Sequence, residues 1–424
     1  MHTLLFLDPG HFHAALTIRE RHPAVHDEIF VYAPDGPELE AFLGLVEGFN
    51  RRSERPTRWR PVVRAGAEPL ERLLAERRGD VAILAGKNDR KMAAVRRLHE
   101  AGLHVLADKP WIVGPEGLDD VRRSLAGGPL AMEILTGHHA AASILETKLV
   151  STPEVFGDFR ADHGGAAAIE IASVHHLDKR VDGAPLRRPA WFFDVRVQGD
   201  GLADIPTHLV DHVQRLLAGY GDHPDQREIE LEAARCWPTL VPREIFRRIT
   251  GLDEVPTELR EHAGGDPLAY YGNGELRLRL GGVRARLTTR WDLSAPEGGG
   301  DTYESALRGT RADVRVEQTA RTGFRRRLLV EPRPGESRVG EALERAVAGW
   351  QAACPGLAVR RRDGAFEIAI PEALSTAHES HFPLVLDAFL RLVDDGSRPA
   401  AVAADTLARY TLLARASALA RRDR

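Results

Sequence analysis

The feature that most constrains this chain is an alternation in its first 130 residues. Short apolar runs occur at Leu4 to Leu7, Glu28 to Ala33, Pro61 to Val63, Val81 to Ala85 and Leu103 to Ala107. Between them lie stretches with helical spacing: His13 to Arg19, Pro37 to Leu45, Glu68 to Arg77, Met92 to Ala101 and Pro115 to Leu125. In Glu68 to Arg77, for example, Leu70, Leu73 and Leu74 fall on one helix face. Strand and helix in alternation mean βαβ units and a parallel sheet, because parallel neighbours need a crossover between them. A run such as Val81-Ala82-Ile83-Leu84 has no polar alternate, which fits a strand buried on both faces.

The pattern changes after about residue 150. Strands are expected at Glu154 to Arg160, Glu228 to Cys236, Glu275 to Leu280 and Val283 to Trp291. Further strands are expected at Ala306 to Leu307, Asp313 to Glu317, Arg326 to Glu331 and Ala365 to Ile370. Gly281-Gly282 reads as a two-residue hairpin turn, and Gly298-Gly299-Gly300 as a mobile loop. Helices are expected at Glu341 to Ala353, Phe382 to Val393 and Ala400 to Ala420.

Composition removes several classes of function. Lys plus Arg is 58 and Asp plus Glu is 62, a net charge of −4, so no basic face for nucleic acid is expected. No run approaches the length and apolarity of a membrane span, and no membrane partner is expected. The N-terminus lacks a basic n-region, which reads as no signal peptide and a cytoplasmic location. Cys236 and Cys354 form neither a disulfide framework nor a CxxC motif. Only five of the 58 basic residues are lysine: Lys87, Lys91, Lys109, Lys148 and Lys179. Where arginine serves as the general cation, a retained lysine marks sites at which a compact ammonium with a tunable pKa matters.

The first apolar run ends in Asp8-Pro9-Gly10-His11-Phe12 and opens a helix, where a dinucleotide-binding loop would lie. The loop has one glycine where the GxGxxG fingerprint has three, so an ordinary strand-to-helix turn is the competing reading. Asp35 follows the second run and suits the ribose hydroxyls of a dinucleotide, or else a solvated turn in Pro34-Asp35-Gly36.

Two later segments read Asp-Val-Ala-Ile-Leu-Ala-Gly-Lys-Asn-Asp (80–89) and Ala-Gly-Leu-His-Val-Leu-Ala-Asp-Lys-Pro (101–110). A third, Gly199 to His208, contains Asp204-Ile205-Pro206-Thr207-His208. Together these resemble the Gfo/Idh/MocA family of nicotinamide-dependent oxidoreductases, with Asp108-Lys109-Pro110 standing for that family's Glu-Lys-Pro and Asp204…His208 for its Asp-x-x-x-His. The resemblance implies an α/β fold. A Rossmann domain with a parallel sheet, 1–130, would precede an α+β domain, 131–424, with an open, mainly antiparallel sheet. Helices 382–420 would pack back on the N-terminal domain. It also implies NAD as cofactor, with NADP possible, and a homo-oligomer built through the open sheet. The cofactor would lie along Asp8, Pro9, Gly10, His11, Phe12, Asp35, Gly86, Asn88 and Lys109. The sequence departs from the family in its glycine-poor first loop, in Lys91, where the family often has histidine, and in Thr136-Gly137-His138-His139. Residues 330 to 375 are an insertion without counterpart.

The spacing of Asp204 and His208, i and i+4, puts both on one face if the segment is helical. By resemblance, Lys109 and His208 flank a substrate carbinol. His208 would be the base, Lys109 would hold the developing alkoxide, and Asp204 would orient substrate or tune His208. Read without the family, Asp204 is equally a helix cap and His208 a half-buried histidine. His212 extends the same face, but spacing alone cannot make ligands converge, and no metal is expected. His138, His175, His176 and Trp191 are candidate substrate contacts, with His175-His176 and Trp191-Phe192-Phe193 in a pocket-lining loop, because aromatic faces beside polar donors suit a sugar ring. Plain core is the competing reading of the aromatic triplet. The function expected is hydride transfer between NAD(P) and a hydroxyl of a sugar-like or cyclitol-like polyol. The alternatives are an NAD-dependent glycosidase acting by transient oxidation and elimination, and a non-catalytic ligand-binding protein.

Overall fold

The computed structural model describes residues 1–160, 166–181, 184–218, 229–296 and 299–422. The chain divides into two compact units. The first is Met1–His139 with Arg196–Gly199 and Ala377–Ala414; the second is Ala140–Val195 with Asp200–Thr376 and Arg415–Arg424.

The first unit runs β1 (Leu4–Leu7), α1 (His13–Leu16), β2 (Glu28–Ala33), α2 (Pro37–Arg51), β3 (Arg60–Ala65) and α3 (Pro69–Glu76). It continues with β4 (Val81–Leu84), α4 (Lys91–Glu100), β5 (His104–Asp108), α5 (Leu118–Leu125) and β6 (Ala131–Ile134). The strands form one parallel sheet in the order β3-β2-β1-β4-β5-β6. Successive residues of β1 serve opposite faces. Leu4 and Phe6 join Phe42, Val46 and Phe49 of α2, and Phe382, Leu386 and Phe389 of the helix Phe382–Asp394, which precedes the last helix, Ala400–Arg421. Leu5 and Leu7 join Leu73 of α3, Met92, Val95 and Leu98 of α4, and Tyr410. Each fully buried Leu or Phe in these layers contributes about 1.5–3 kcal/mol. The continuous apolar runs thus have the burial their composition requires. The first helix is shorter than the expected His13 to Arg19, ending at Leu16, where the Thr17 hydroxyl donates to the carbonyl of Ala14.

The second unit contains α6 (Ala141–Val150), β7 (Ile169–Asp178), a two-residue ribbon of β8 (Arg180–Val181) and β9 (Ala184–Pro185), α7 (Pro206–Ala218) and β10 (Ile229–Val241). Next come α8 (Arg243–Thr250), α9 (Thr257–Ala263), β11 (Leu268–Leu280), β12 (Val283–Ser294), β13 (Thr302–Arg308), β14 (Ala312–Gln318) and β15 (Arg327–Pro332). Residues 330 to 375, expected to be an insertion, supply α10 (Val339–Trp350), β16 (Ala358–Arg362) and β17 (Ala365–Ala369). Among the described residues nine strands form one sheet, β10-β11-β12-β7-β13-β14-β15-β17-β16, antiparallel except for β12 beside β7. Gly281 and Gly282, at φ 55° and 80°, make the turn between β11 and β12, a conformation closed to most side chains.

Two expectations are corrected here. Glu154 to Arg160 is not a strand; Val155 and Phe156 are buried from a run of turns, and Phe159 makes a single bridge to Gly309. Ile169–Asp178, unmarked in the sequence, is a strand in the middle of the sheet. Glu228, the expected start of β10, and Gly298 of the glycine run lie outside the described residues.

Candidate active site

In the first unit the loops leave the carboxyl ends of β1, β4 and β5, the edge at which open α/β sheets bind ligands. Main-chain bonds fix the first loop: Asp8 N–H donates to the Tyr32 carbonyl at 2.8 Å and His11 N–H to that of Ala85 at 2.9 Å. Asp8 holds φ at 44°, unusual for a residue with a side chain, and burial raises the pKa of its carboxyl. A Cβ on Gly86 would lie 2.4 Å from the Asp8 carbonyl oxygen and 3.2 Å from the Gly10 nitrogen. The loops after β1 and β4 therefore meet backbone to backbone through a glycine, the close approach a dinucleotide fold requires. The amides of Gly10 and His11 are used internally. Those of Phe12 and His13, opening α1, have no main-chain partner among the described residues and are the donors left for an anionic group. The residues present thus fit a dinucleotide, with fewer glycines than the fingerprint. Asp35 is exposed two residues beyond β2, the strand next to β1.

Lys109 follows the last residue of β5 and is 9% exposed. The backbone around it is held by Lys91, a buried lysine of α4. The Lys91 ammonium donates to the side chain of Asn88, to the Asp108 carbonyl at 2.7 Å and to the Pro110 carbonyl at 3.1 Å. Asn88 is buried and donates to the Gln198 carbonyl at 2.8 Å, while its own N–H donates to Val197. Three acceptors saturate the three donors of the ammonium, which is how a buried lysine is tolerated. Lys91 is thus a scaffold under Lys109. His138 lies in a short 3-10 turn, Thr136–His139, just past β6 at the same edge of the sheet.

In the second unit Asp204 is buried in the turn that precedes α7, not inside the helix, and His208 is a half-buried residue of its first turn. His175 and His176 are on β7, not in a loop as expected. Asp301 collects them: its carboxylate lies 3.1 Å from His175 Nδ1, 3.4 Å from His176 Nδ1, 3.1 Å from the His176 N–H and 2.5 Å from Lys179 Nζ. Burial works to raise the Asp301 pKa, but the His175 and His176 hydrogen bonds and the Lys179 charge outweigh it and hold the carboxyl far below its usual range. The Ser173 hydroxyl lies 2.7 Å from His175 Nε2, so hydroxyl, imidazole and carboxylate stand in series.

Trp291 faces His175 at 5.0 Å between ring centres, and the guanidinium of buried Arg188 stacks over Phe192 at 4.4 Å and Trp291 at 5.1 Å. Arg188 also donates to the Leu177 and His176 carbonyls, and Asp204, Asp301 and Tyr270 act on its charge. Phe192 and Phe193 are core, so the aromatic triplet is mostly structural, with Trp191 half-buried in the turn Ala190–Phe193. His212 is engaged elsewhere. Arg215 donates to its Nδ1 at 3.1 Å, which leaves Nε2 to donate to buried Glu146 at 3.0 Å.

The structure therefore gathers Asp8 to Phe12, Gly86, Asn88 and Lys109 at one edge of the first sheet, and His175 and His176 with Trp291 and Arg188 in the second unit. Asp204 and Tyr270 lie within electrostatic reach of Arg188. Sequence reasoning missed Arg188 and Asp301, and it gave Asp108 no role of its own. Asp301 is 125 residues from His176 along the chain, and no periodicity announces such a meeting.

A parallel sheet in this order, with a glycine-mediated loop contact at its carboxyl edge and a mixed sheet following, defines a Rossmann-type α/β protein. Residues 145–421 match the family described as "Putative oxidoreductase C terminal domain", more than half of the chain, and the chain belongs to that family. A crystal structure described as a "putative oxidoreductase" from Parabacteroides merdae is 33% identical, with 100% of this chain and 98% of that one covered and a TM-score of 0.93. Two more distant structures share the fold. GenD2 from gentamicin A biosynthesis, solved in complex with NAD, is 15% identical over 100% of this chain and 95% of its own, TM-score 0.57. KijD10, a 3-ketoreductase from Actinomadura kijaniata solved with NADP, is 15% identical over 97% of this chain and 95% of its own, TM-score 0.55. No curated protein matches the chain. Among the described residues no helix is long and apolar enough to cross a membrane.

Proposed function

We propose that this oxidoreductase belongs with the Gfo/Idh/MocA enzymes and transfers a hydride between NAD(P) and a hydroxyl of a sugar-like or cyclitol-like polyol. The observation that carries the reading is Lys109, a buried lysine at the carboxyl end of β5 whose backbone is pinned by Lys91. Asp8 to Phe12, Gly86 and Asn88 hold the dinucleotide, as the loop contact at Gly86 and the NAD and NADP complexes of GenD2 and KijD10 support. Bound there, the nicotinamide supplies the hydride acceptor. Lys109 holds the substrate oxygen as its proton leaves, His208 takes that proton, and Asp204 orients the hydroxyl. His138, His175, His176 and Trp191 contact the rest of the substrate. Asp35 favours NAD, because a carboxylate beside the ribose repels a 2′-phosphate. Calorimetric titration with NAD and NADP tests the cofactor half of this reading: one site per chain is expected, and no binding of either in any redox state sinks it.

One observation keeps a second reading in view. The His175 imidazole is backed by the Asp301 carboxylate, as a base that abstracts a carbon-bound proton would be. Oxidation followed by elimination of a glycosidic group needs such a base in addition to Lys109 and His208.

A further inference from the structure

We propose that the first unit carries a metal site formed by His11, His13 and Asp108, which takes a divalent transition-metal ion. The site goes beyond the dinucleotide reading and does not depend on it.

His11 lies in the loop leaving β1, His13 opens α1, and Asp108 is the last residue of β5. Ninety-five residues separate His13 from Asp108, yet His13 Nδ1 lies 2.8 Å from Asp108 Oδ2. His11 Nδ1 lies 3.5 Å from the same oxygen, and the two imidazole rings are 4.1 Å apart, edge to face. One donor atom from each of the three side chains lies within 4.8 Å of the others. An ion with ligands at about 2.0–2.2 Å in tetrahedral array holds its donors roughly 3.3 Å apart, and these separations bracket that spacing. The His13–Asp108 contact is a hydrogen bond, which an ion shared by the three side chains would replace.

Asp108 Oδ1 accepts the Lys109 N–H at 3.0 Å, which turns Oδ2 toward the histidines. The His378 ring is 6.1 Å from His13, and its Nδ1 is 3.4 Å from the Thr136 hydroxyl. Two imidazoles and one carboxylate select zinc, cobalt, iron(II), nickel or manganese over magnesium or calcium, which prefer all-oxygen sites. The helix face of Asp204, His208 and His212, which the spacing offers for a metal, is a different set of residues.

The test uses the full chain stripped with a chelator. Cobalt(II) is added while its visible ligand-field bands are followed, and zinc(II) is titrated by calorimetry. One ion per chain is expected, saturating at micromolar concentrations, with cobalt bands typical of nitrogen and oxygen ligation. D108N and H11A should each weaken binding by about 100-fold or more. His11 is half-buried, so H11A keeps the proposal testable if D108N does not fold; circular dichroism decides which variant is read. Absence of stoichiometric cobalt and zinc binding by the wild-type chain overturns the site, as does unchanged affinity in a folded H11A.

Discussion

Lys91 Nζ lies 2.7 Å from the main-chain carbonyl oxygen of Asp108, tying the start of α4 to the end of β5. Through this bond and its partner to Pro110, a side chain with no role in the chemistry sets where Lys109 stands. K91M keeps the bulk and removes the donors, stranding the Asn88 side chain and two carbonyls. A loss of about 3 kcal/mol in stability is expected, since buried groups left unpaired cost about 1–3 kcal/mol each. In protein that still folds, kcat should fall more than KM rises. Thermal melting and steady-state kinetics check both halves. Wild-type kcat would remove Lys91 from its positioning role.

Lys109 and His208 carry the proposed proton chemistry. K109M and H208A should each lower turnover by about two orders of magnitude, the size of acid–base and electrostatic contributions, while dinucleotide affinity stays within a few-fold. Turnover and calorimetric binding on the same preparations separate the two effects. Near-normal turnover in both variants means that the site is misplaced.

Asp35 sets cofactor choice in this account. D35A should narrow the preference for NAD over NADP by about 10-fold, one like-charge repulsion of roughly 1.4 kcal/mol. Equal dissociation constants for the two cofactors in the wild-type chain would remove this role.

Asp301 gives the second unit a dependence on acid. The fold favours its ionised form, so as pH falls below the usual carboxylate range the unfolded chain takes up a proton before the folded one. Its stabilisation is therefore complete above about pH 4 and lost progressively below it. D301N cannot titrate and forfeits that contribution at every pH. Denaturant melts from pH 7 to pH 3 should show the gap between wild type and D301N shrinking as pH falls. A constant gap would contradict the argument.

What the sequence revealed divides along physical lines. β1, β2, β4 and β5 were legible because strands buried on both faces must be apolar throughout, and Lys109 because it sits in a short contiguous motif. β7 was not. Its register alternates Ile169, Ile171 and Ser173 with Glu170, Ala172 and Val174, and its place in mid-sheet comes from partners more than 100 residues away. Glu154 to Arg160 misled because Val155, Phe156 and Phe159 are apolar for turn packing and not for a ladder. The meetings of His13 with Asp108 and of His175 with Asp301 are long-range, and only the fold makes them.

The most direct test of the central claim is a balance of reduced cofactor against product. The chain is incubated with free NAD and a panel of polyols, cyclitols and glycosides, following reduced nicotinamide and product in one reaction. The account predicts one reduced cofactor for each carbonyl formed on a free hydroxyl. Aglycone release without accumulating reduced cofactor, with solvent deuterium entering next to the oxidised carbon, would contradict it and assign the chain to the oxidation–elimination glycosidases.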